Sequence, residues 1–288
     1  MNITAKEALP RQLNNRRTPP SISQPHRAPA ISLITQGFAI LKLPQAALAS
    51  AWTCLDNINR VSREERQAFS FPETTGGFLP QGGEHAKYTN NADLCDRFCY
   101  WQRHAALYNA HPFAHDRLFG EIAAAEHHFW SLAQTLLTEI WAFFHCNEEV
   151  PLRNNSYLQL CMYESQFHDS AREYLQDRHE DGHLLTLIKP NRDGLVLFLD
   201  GEEAPVHLKD DEILAITGSL LTTLSDGQIA PLYHAVRSPN VPIGRNSIVY
   251  FAIPDLTKTY TTLLGKKCVS VAEQANESHV AFGNLPLM

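Results

Sequence analysis

The chain has 288 residues, of which 44% are apolar, so it can bury one large core or two small ones. The formal net charge is −7, with acidic and basic residues mixed along the sequence, and no basic stripe indicates a nucleic-acid partner. No run approaches the roughly 20 apolar residues of a membrane span, and the N-terminus lacks the apolar core of an export signal. We therefore expect a cytoplasmic protein whose six cysteines are reduced thiols.

The first part of the chain predicts an arm, a strand, a helix and a loop. Residues 1–28 are polar and contain several prolines, which predicts a loose N-terminal arm. Residues 31–43 predict a strand, and residues 44–59 predict a helix that begins at a proline. Residues 74–83 are rich in glycine, threonine and proline and predict a loop. We expect this loop and the arm to close over a ligand, because segments with few apolar anchors move easily.

The pattern changes from helix to short strands along the second half. Apolar residues recur every three or four positions from 118 to 143, which predicts one long helix with a buried stripe. After residue 155, short strands separated by turn residues are predicted at 157–163, 184–188, 195–199, 213–217 and 248–253. The last thirty residues are expected to be helix or coil. Many short strands at this spacing predict a jelly roll.

We therefore predict a mixed α/β protein with a double-stranded β-helix (jelly-roll) core, a long supporting helix and a helical N-terminal region. The expected segments form one structural unit. They are an arm over residues 1–28, an N-terminal region over 29–150, the jelly-roll core over 151–255 and a helical or coil extension over 256–288.

A histidine and a carboxylate stand two residues apart in the stretch 179–186, which reads His-Glu-Asp-Gly-His-Leu-Leu-Thr. On a strand, residues i and i+2 point to the same face, so His179 and Asp181 are expected to aim at one point. His234, in a second strand-like stretch, can supply a third ligand. Two imidazoles and one carboxylate leave open positions on a metal, which suits non-heme Fe(II) in oxygen-activating enzymes. The ordinary alternative for the isolated tripeptide is a surface His-x-Asp beside an unrelated core histidine.

Arg245 and Ser247 form a second i, i+2 pair, eleven residues after His234. A guanidinium binds a carboxylate through two parallel hydrogen bonds, and a hydroxyl can add a third. Because a buried arginine without an anion is costly, the pair predicts an anion site that faces the barrel interior. The ordinary alternative is a surface arginine paired with an acidic residue.

Over roughly residues 31–255 the chain resembles the isopenicillin N synthase-like Fe(II)/2-oxoglutarate-dependent dioxygenases. The iron motif of that family, His-x-Asp and a distant His, is similar to His179, Asp181 and His234 with the residues around them. Ala235 stands where an arginine commonly follows the second histidine. Residues 34–40, 76–84 and 93–98 also resemble N-terminal segments of the family.

The same resemblance implies how a co-substrate would be held. Arg245 and Ser247 match the Arg-x-Ser of the family, which binds the distal carboxylate of 2-oxoglutarate. Tyr163 falls on the family tyrosine that helps to hold the co-substrate, and its ordinary alternative is a plain strand aromatic. Cys161 replaces an asparagine in that strand, so the other end of the co-substrate can be held differently here.

The resemblance implies an enzyme that uses Fe(II), 2-oxoglutarate and O2 to hydroxylate, desaturate or cyclise a small metabolite, in specialised-metabolite or amino-acid-derived biosynthesis. Asp181 fills the position that halogenases leave for chloride, which disfavours halogenation. We expect no nucleic-acid or membrane partner, and a monomer or weak dimer. Lys87, Tyr88 and Phe251 are candidate substrate contacts, with the alternatives of a solvated lysine, a loop aromatic and a core phenylalanine.

Two other functions fit the same residues. An oxidase of the same family would use O2 without 2-oxoglutarate, and its Arg-x-Ser would bind a substrate carboxylate; consumption of 2-oxoglutarate separates the two. A non-catalytic protein that binds a metal or small ligand on the same scaffold belongs to a different class, against which the intact His-Asp-His set argues.

Overall fold

Helices dominate the first half of the chain and strands the second. The computed structural model describes residues 28–87, 89, 91–167, 169, 171–239 and 244–288. In these ranges the α-helices are α1 (Pro29–Gln36), α2 (Gln45–Asn57), α3 (Arg63–Ala68), α4 (Ala105–Tyr108), α5 (Arg117–Phe143), α6 (Ser219–Leu224) and α7 (Ala272–Ala281). Short 3-10 turns cover Ile58–Arg60, Pro72–Thr74, Gln102–His104, Pro112–His115 and Ser165–Phe167.

The strands form two antiparallel sheets and one small hairpin. They are β1 (Phe38–Lys42), β2 (Ser70–Phe71), β3 (Gly76–Leu79), β4 (Asp96–Tyr100), β5 (Tyr157–Tyr163), β6 (Tyr174–His179), β7 (Leu185–Pro190), β8 (Leu195–Leu199), β9 (Glu202–Pro205), β10 (Glu212–Thr217), β11 (His234–Arg237), β12 (Arg245–Ala252), β13 (Tyr260–Thr261) and β14 (Cys268–Val269). The major sheet has the order β1-β10-β7-β12-β5-β4-β3-β2, the minor sheet β6-β11-β8-β9, and β13 pairs with β14.

Apolar side chains fill the space between the two sheets at one end. Phe38 and Ile188 of the major sheet pack with Leu195 and Leu197 of the minor sheet in one buried cluster. This packing of two antiparallel sheets is the arrangement of a jelly roll, so the predicted fold class is confirmed.

Strand β12 shows how the major sheet separates the core from the interior of the barrel. Ile248 and Tyr250 belong to the large apolar cluster that also contains the buried face of α5. Successive side chains on a strand point to opposite faces, so Arg245 and Ser247 point away from α5, into the barrel. The long helix thus supports the sheet from outside, as predicted, and α5 begins where the Asp116 side chain accepts a hydrogen bond from the Leu118 N–H at 2.6 Å.

Most predicted elements of the second half are found. The strands predicted at 157–163 and 195–199 coincide with β5 and β8, and the other three overlap β7, β10 and β12. The helix predicted at 44–59 corresponds to α2 and the turn that follows it, and the last thirty residues hold α7 and the small hairpin. The arm predicted for residues 1–28 lies outside the described residues except for Ala28.

The strand predicted for residues 31–43 is wrong in its first half. Residues up to Gln36 form helix α1, which has Pro29 at its first position and ends at Gly37. Gly37 adopts a left-handed conformation and its N–H donates to the Leu33 carbonyl, which closes the helix. Proline at the start and glycine just after the end mark a short helix, and that signal outweighs the apolar run.

The loop predicted for residues 74–83 is also wrong in part, because Gly76–Leu79 form the buried strand β3. A Cβ at Gly77 would lie 2.3 Å from the Phe69 carbonyl oxygen, so glycine allows the neighbouring chain to approach closely. These residues are paired on both sides, to β2 and to β4, and closure of residues 74–83 over a ligand stays a prediction.

Strands β4 and β9 have no counterpart among the predictions, and β6 and β11 are anticipated only as strand-like stretches around His179 and His234. The last three of these belong to the minor sheet, where strands are short and carry many polar residues. In β6, for example, four of six residues are polar, so no alternation of apolar side chains is visible. Within the described ranges, no helix is long and apolar enough to cross a membrane.

Helix α5 buries one carboxyl group among apolar side chains. Glu126 has no exposed surface, and neither carboxyl oxygen has a hydrogen-bond partner among the described residues. Burial raises the pKa of Glu126 from 4.5 to about 7, with the positive charge of Arg153 acting in the opposite direction. Between those two pH values the folded chain keeps a proton that the unfolded chain has lost, so stability falls as the pH rises.

We therefore expect Glu126→Gln to leave stability nearly unchanged at pH 4.5 and to increase the free energy of unfolding by on the order of 3 kcal/mol at pH 8. Urea unfolding at both pH values measures this difference. Glu139→Gln, at an exposed position of the same helix, is the control for the substitution itself and should change the free energy of unfolding by no more than about 0.5 kcal/mol. An equal effect of Glu126→Gln at both pH values would contradict the assignment.

Candidate metal and anion site

Two histidines meet across neighbouring strands of the minor sheet. His179 is the last residue of β6, His234 is the first of β11, and the two are direct partners in the antiparallel register. Their ring centroids lie 4.2 Å apart. Because cross-strand partners share a face, both imidazoles point to the same side of the sheet.

Asp181 completes the group from the turn that follows β6. Its Oδ1 lies 3.6 Å from His179 Nε2 and its Oδ2 lies 3.8 Å from His234 Nε2. Each of the three residues offers one possible metal-ligand atom, and these three atoms lie within 4.8 Å of one another. The strand predicted through both residues is wrong at Asp181: β6 ends at His179, and a turn carries Asp181 back to the same point.

Hydrogen bonds orient two of the three candidate ligands. His179 Nδ1 lies 2.8 Å from the Asp177 carbonyl oxygen, which leaves Nε2 for a metal. The Thr186 hydroxyl donates to Asp181 Oδ2 at 2.5 Å, which leaves Oδ1 for the ion. These contacts are the outer support that ligating histidines and carboxylates have in metal sites, so the three residues fit a divalent ion.

The electrostatics of the group also fit a cation. Burial and, to a lesser extent, the positive charge of His179 lower the pKa of His234 to about 4, although the charge of Asp181 acts in the opposite direction. For His179, burial acts to lower the pKa, but the hydrogen bond and charge of Asp181 raise it to about 9. Burial acts to raise the pKa of Asp181, yet the charges of His234 and His179 hold it below its usual range. The carboxylate thus stays ionised, and a metal ion would replace the proton on His179.

Helix α7 packs directly against the turn that holds Asp181. A Cβ at Gly182 would lie 1.8 Å from Ser278 Oγ, so only glycine allows this approach. Just after the helix, the Phe282 ring lies against His179, with centroids 5.5 Å apart. The C-terminal extension therefore covers the metal-binding turn.

Arg245 is buried, and none of the described residues offers it an anionic partner. Only 5% of its surface is exposed, and no carboxylate lies within 4.0 Å of it among the described residues. Its Nε donates to the carbonyl oxygens of Arg192 and Asp193 at 3.3 and 3.2 Å, and Nη1 donates to Ser247 Oγ at 3.4 Å. The Arg-Ser pair is thus on one face, and its guanidinium retains donors for an anion.

Two residues of β5 stand opposite this pair in the register, Tyr163 opposite Arg245 and Cys161 opposite Ser247. The Arg245 guanidinium lies 5.3 Å from the centroid of the Tyr163 ring. Tyr163 packs with Val236 of the minor sheet, which shows that this face looks into the barrel. Cys161 is buried, and its sulfur accepts a hydrogen bond from Gln159 Nε2 at 3.4 Å.

The candidate substrate contacts divide into three cases. Lys87 Nζ lies 3.9 Å from Glu180 Oε1, so it is near the metal-binding turn. Phe251 is buried on the inward face of β12, with its ring centroid 4.5 Å from that of His183. Tyr88 lies outside the described residues.

Sequence reasoning missed the supporting residues. Thr186, which holds Asp181, follows it by five residues and pairs with Phe251 across β7 and β12. The signal for Thr186 in the sequence is a hydroxyl residue on the strand that follows the turn of Asp181. Phe282 carries no such signal, because 48 residues separate it from His234, the nearest ligand in the sequence.

Solved structures share the fold of this chain, although no protein-family model and no curated sequence matches it. A full-length Neurospora crassa protein in complex with alpha-KG and thymine has 15% identity and a TM-score of 0.70 over 88% of this chain and 90% of that chain. A Caulobacter crescentus protein described as a 2OG-Fe(II) oxygenase family protein has 18% identity and a TM-score of 0.68 over 86% and 91%. Rice DAO, a dioxygenase for auxin oxidation, has 14% identity and a TM-score of 0.67 over 89% and 90%.

The chain has the fold of 2-oxoglutarate- and Fe(II)-dependent oxygenases. At these identities the similarity establishes the fold alone, and the activity has to be argued from the residues of this chain. The His-Asp-His group in the described residues is consistent with Fe(II) binding.

The support of Asp181 by Thr186 gives a prediction about the metal. Thr186→Val removes the donor to Asp181 Oδ2, so we expect Mn(II) affinity, measured by calorimetry, to fall roughly 10- to 100-fold. Thr138→Val, on the exposed side of α5, removes a hydroxyl that donates to the Gln134 carbonyl of the same helix and should leave Mn(II) affinity unchanged. Equal affinities in all three proteins would show that Thr186 does not position the carboxylate.

Proposed function

We propose that this protein is an Fe(II)- and 2-oxoglutarate-dependent oxygenase that oxidises a small metabolite. The observation that carries the proposal is the burial, inside one jelly roll, of a His-Asp-His group and of an arginine that has no anionic partner among the described residues. A cation site and an anion site in one barrel match a metal ion and a dicarboxylate co-substrate.

The arginine supports 2-oxoglutarate over a simple metal-binding function. A buried guanidinium without a counter-ion is costly, and desolvation lowers the pKa of Arg245. A carboxylate beside Arg245 and Ser247 would offset that cost through a bidentate contact and a third hydrogen bond from the hydroxyl. None of the described contacts favours the oxidase that works without 2-oxoglutarate or the non-catalytic binding protein.

Each group of the chain has a distinct task under this proposal. His179, Asp181 and His234 would hold the iron, which when bound supplies the coupled reduction of O2 and oxidation of 2-oxoglutarate and substrate. Arg245 and Ser247 would hold the distal carboxylate of the co-substrate. The two sheets and the C-terminal segment over residues 282–288 exclude water from the reacting groups.

The substrate is a small molecule under this proposal. The similar Neurospora crassa protein has been crystallised with thymine and with 5-formyluracil, and rice DAO is a dioxygenase for auxin oxidation. Hydroxylation, desaturation and ring closure all remain within the chemistry of such a site. Assignment to the isopenicillin N synthase-like group stays a prediction, as do cytoplasmic location and a monomeric or weakly dimeric state.

Removal of the metal-binding carboxylate tests the metal assignment. We expect Asp181→Ala to abolish Fe(II)-dependent formation of succinate from 2-oxoglutarate and to remove stabilisation of the fold by Mn(II), with the circular dichroism spectrum unchanged. Asp56→Ala, at an exposed position of α2, should keep both properties. Full succinate formation by Asp181→Ala would end the assignment of the three ligands.

Loss of the arginine tests the co-substrate. Removing one partner of a buried charge pair costs roughly 3–5 kcal/mol, a factor of hundreds to thousands in affinity. We therefore expect Arg245→Leu to raise the KM for 2-oxoglutarate by about that factor while Mn(II) affinity is retained. The control Arg237→Leu removes an exposed arginine paired with Glu173 and Glu203 and should leave this KM unchanged.

An unchanged KM in Arg245→Leu would place the co-substrate elsewhere. If the wild-type protein consumes O2 with a substrate but never consumes 2-oxoglutarate, the oxidase replaces our proposal.

A further inference from the structure

A second cluster of buried polar side chains lies beside the metal-binding residues, and none of the roles above uses it. Arg97 Nη1 lies 3.0 Å from Glu84 Oε1 and donates to Asn284 Oδ1 at 2.9 Å. Asn284 Nδ2 donates to the same Glu84 oxygen at 2.9 Å, and Gln159 Nε2 donates to Glu84 Oε2 at 3.0 Å. At most 9% of any of these four residues is exposed.

The cluster is built from distant parts of the chain and reaches the metal group through the C-terminal segment. Phe282, whose ring lies against His179, accepts a hydrogen bond at its carbonyl from the His85 N–H at 3.2 Å. Asn284 follows two residues later and Glu84 precedes His85, so the cluster and the metal-binding residues are joined through neighbouring residues.

Asp93 adds a buried carboxylate, one oxygen of which accepts no hydrogen bond from the described residues. It is 1% exposed, and its backbone N–H donates to the Glu84 carbonyl at 2.8 Å. Gln176 Nε2 donates to Oδ2 at 2.9 Å, but Oδ1 has no hydrogen-bond partner among the described residues. A buried carboxylate oxygen without a donor is costly, and a ligand that carries a donor would remove that cost.

The charges around Asp93 are unbalanced. Glu84 and Asp93 are two acidic groups, and Arg97 is the basic group that acts on both. Burial raises the pKa of Asp93 to about 7, and the negative charge of Glu84 contributes, whereas His179 and Arg97 act in the opposite direction. Gln176, which donates to Asp93, accepts a hydrogen bond from the Tyr163 hydroxyl at 3.4 Å, so Asp93 is joined to a residue that faces the barrel interior. A cationic group next to Asp93 would balance the two carboxylates.

From this geometry we propose that Asp93 is a specificity-determining residue that binds a protonated nitrogen of the substrate, with the Glu84–Arg97–Asn284–Gln159 cluster forming the wall of the subsite. This inference rests on the proposed function and names its substrate class: small metabolites that carry an amine.

Calorimetry with paired probes tests the subsite without relying on turnover. The protein is loaded with Mn(II) and 2-oxoglutarate and titrated with amines and with their hydroxyl analogues: tyramine and tyrosol, histamine and histaminol, L-leucine and 2-hydroxyisocaproate. We expect at least one amine to bind roughly tenfold or more tightly than its hydroxyl partner. Asp93→Asn should weaken that amine roughly 30-fold or more, as expected for the loss of one partner of a buried charge pair.

Asp93→Asn removes the negative charge but keeps an oxygen that can accept the hydrogen bond from Gln176, so the variant should retain the fold. Mn(II) and 2-oxoglutarate should bind to it as they bind to the wild type. Asp56→Asn, exposed on α2, is the matched control and should bind every probe normally. The proposal is overturned if no amine binds, if the hydroxyl analogues bind as tightly, or if Asp93→Asn keeps the preference for amines.

Failure of the proposed function gives a different result. If Mn(II) or 2-oxoglutarate does not bind to the wild-type protein, the oxygenase assignment fails. The amine titrations are then repeated on the metal-free chain, and the same comparison of Asp93→Asn with the wild type decides the subsite.

Discussion

The buried carboxylate of Asp181 is the interaction on which the rest of the site depends. Its side chain is 5% exposed, so its charge has to be balanced locally by two imidazoles and a hydroxyl. The imidazoles can meet it only because β6 and β11 pair with His179 opposite His234. A slip of one residue in that register would turn one ring to the other face of the sheet and leave the carboxylate without its partner.

The interior of the barrel contains charged groups that the described part of the chain leaves incompletely paired. Among the described residues, no carboxylate pairs with Arg245 and no donor reaches Oδ1 of Asp93. The Glu84–Arg97 pair shows that the same chain can pair buried charges when both partners are its own. The unpaired groups lower the stability of the free protein, and a ligand of opposite charge regains that free energy on binding.

The parts of the structure that could be predicted from the sequence are those that depend on neighbouring residues. Apolar periodicity located α5, and compact apolar runs located β5 and β8 to the residue, because both patterns are local. The Arg245–Ser247 pair followed from strand alternation and lies on one face as expected. The minor sheet largely escaped detection because most of its strands are short and polar. Residues 31–36 form a helix because Pro29 and Gly37 delimit α1, although their apolar run alone favours a strand.

The proposed substrate subsite could not be predicted in this way, because its members are brought together only by the tertiary fold. Glu84 and Asp93 come from the segment before β4, Gln159 from the middle of β5, and Asn284 from the segment after α7. Gly182 makes this assembly possible, since α7 can lie on the metal-binding turn only where no Cβ intervenes. One glycine therefore links the geometry of the metal ligands to the position of Asn284. A change in the packing of α7 would alter the metal-binding turn and the polar cluster together.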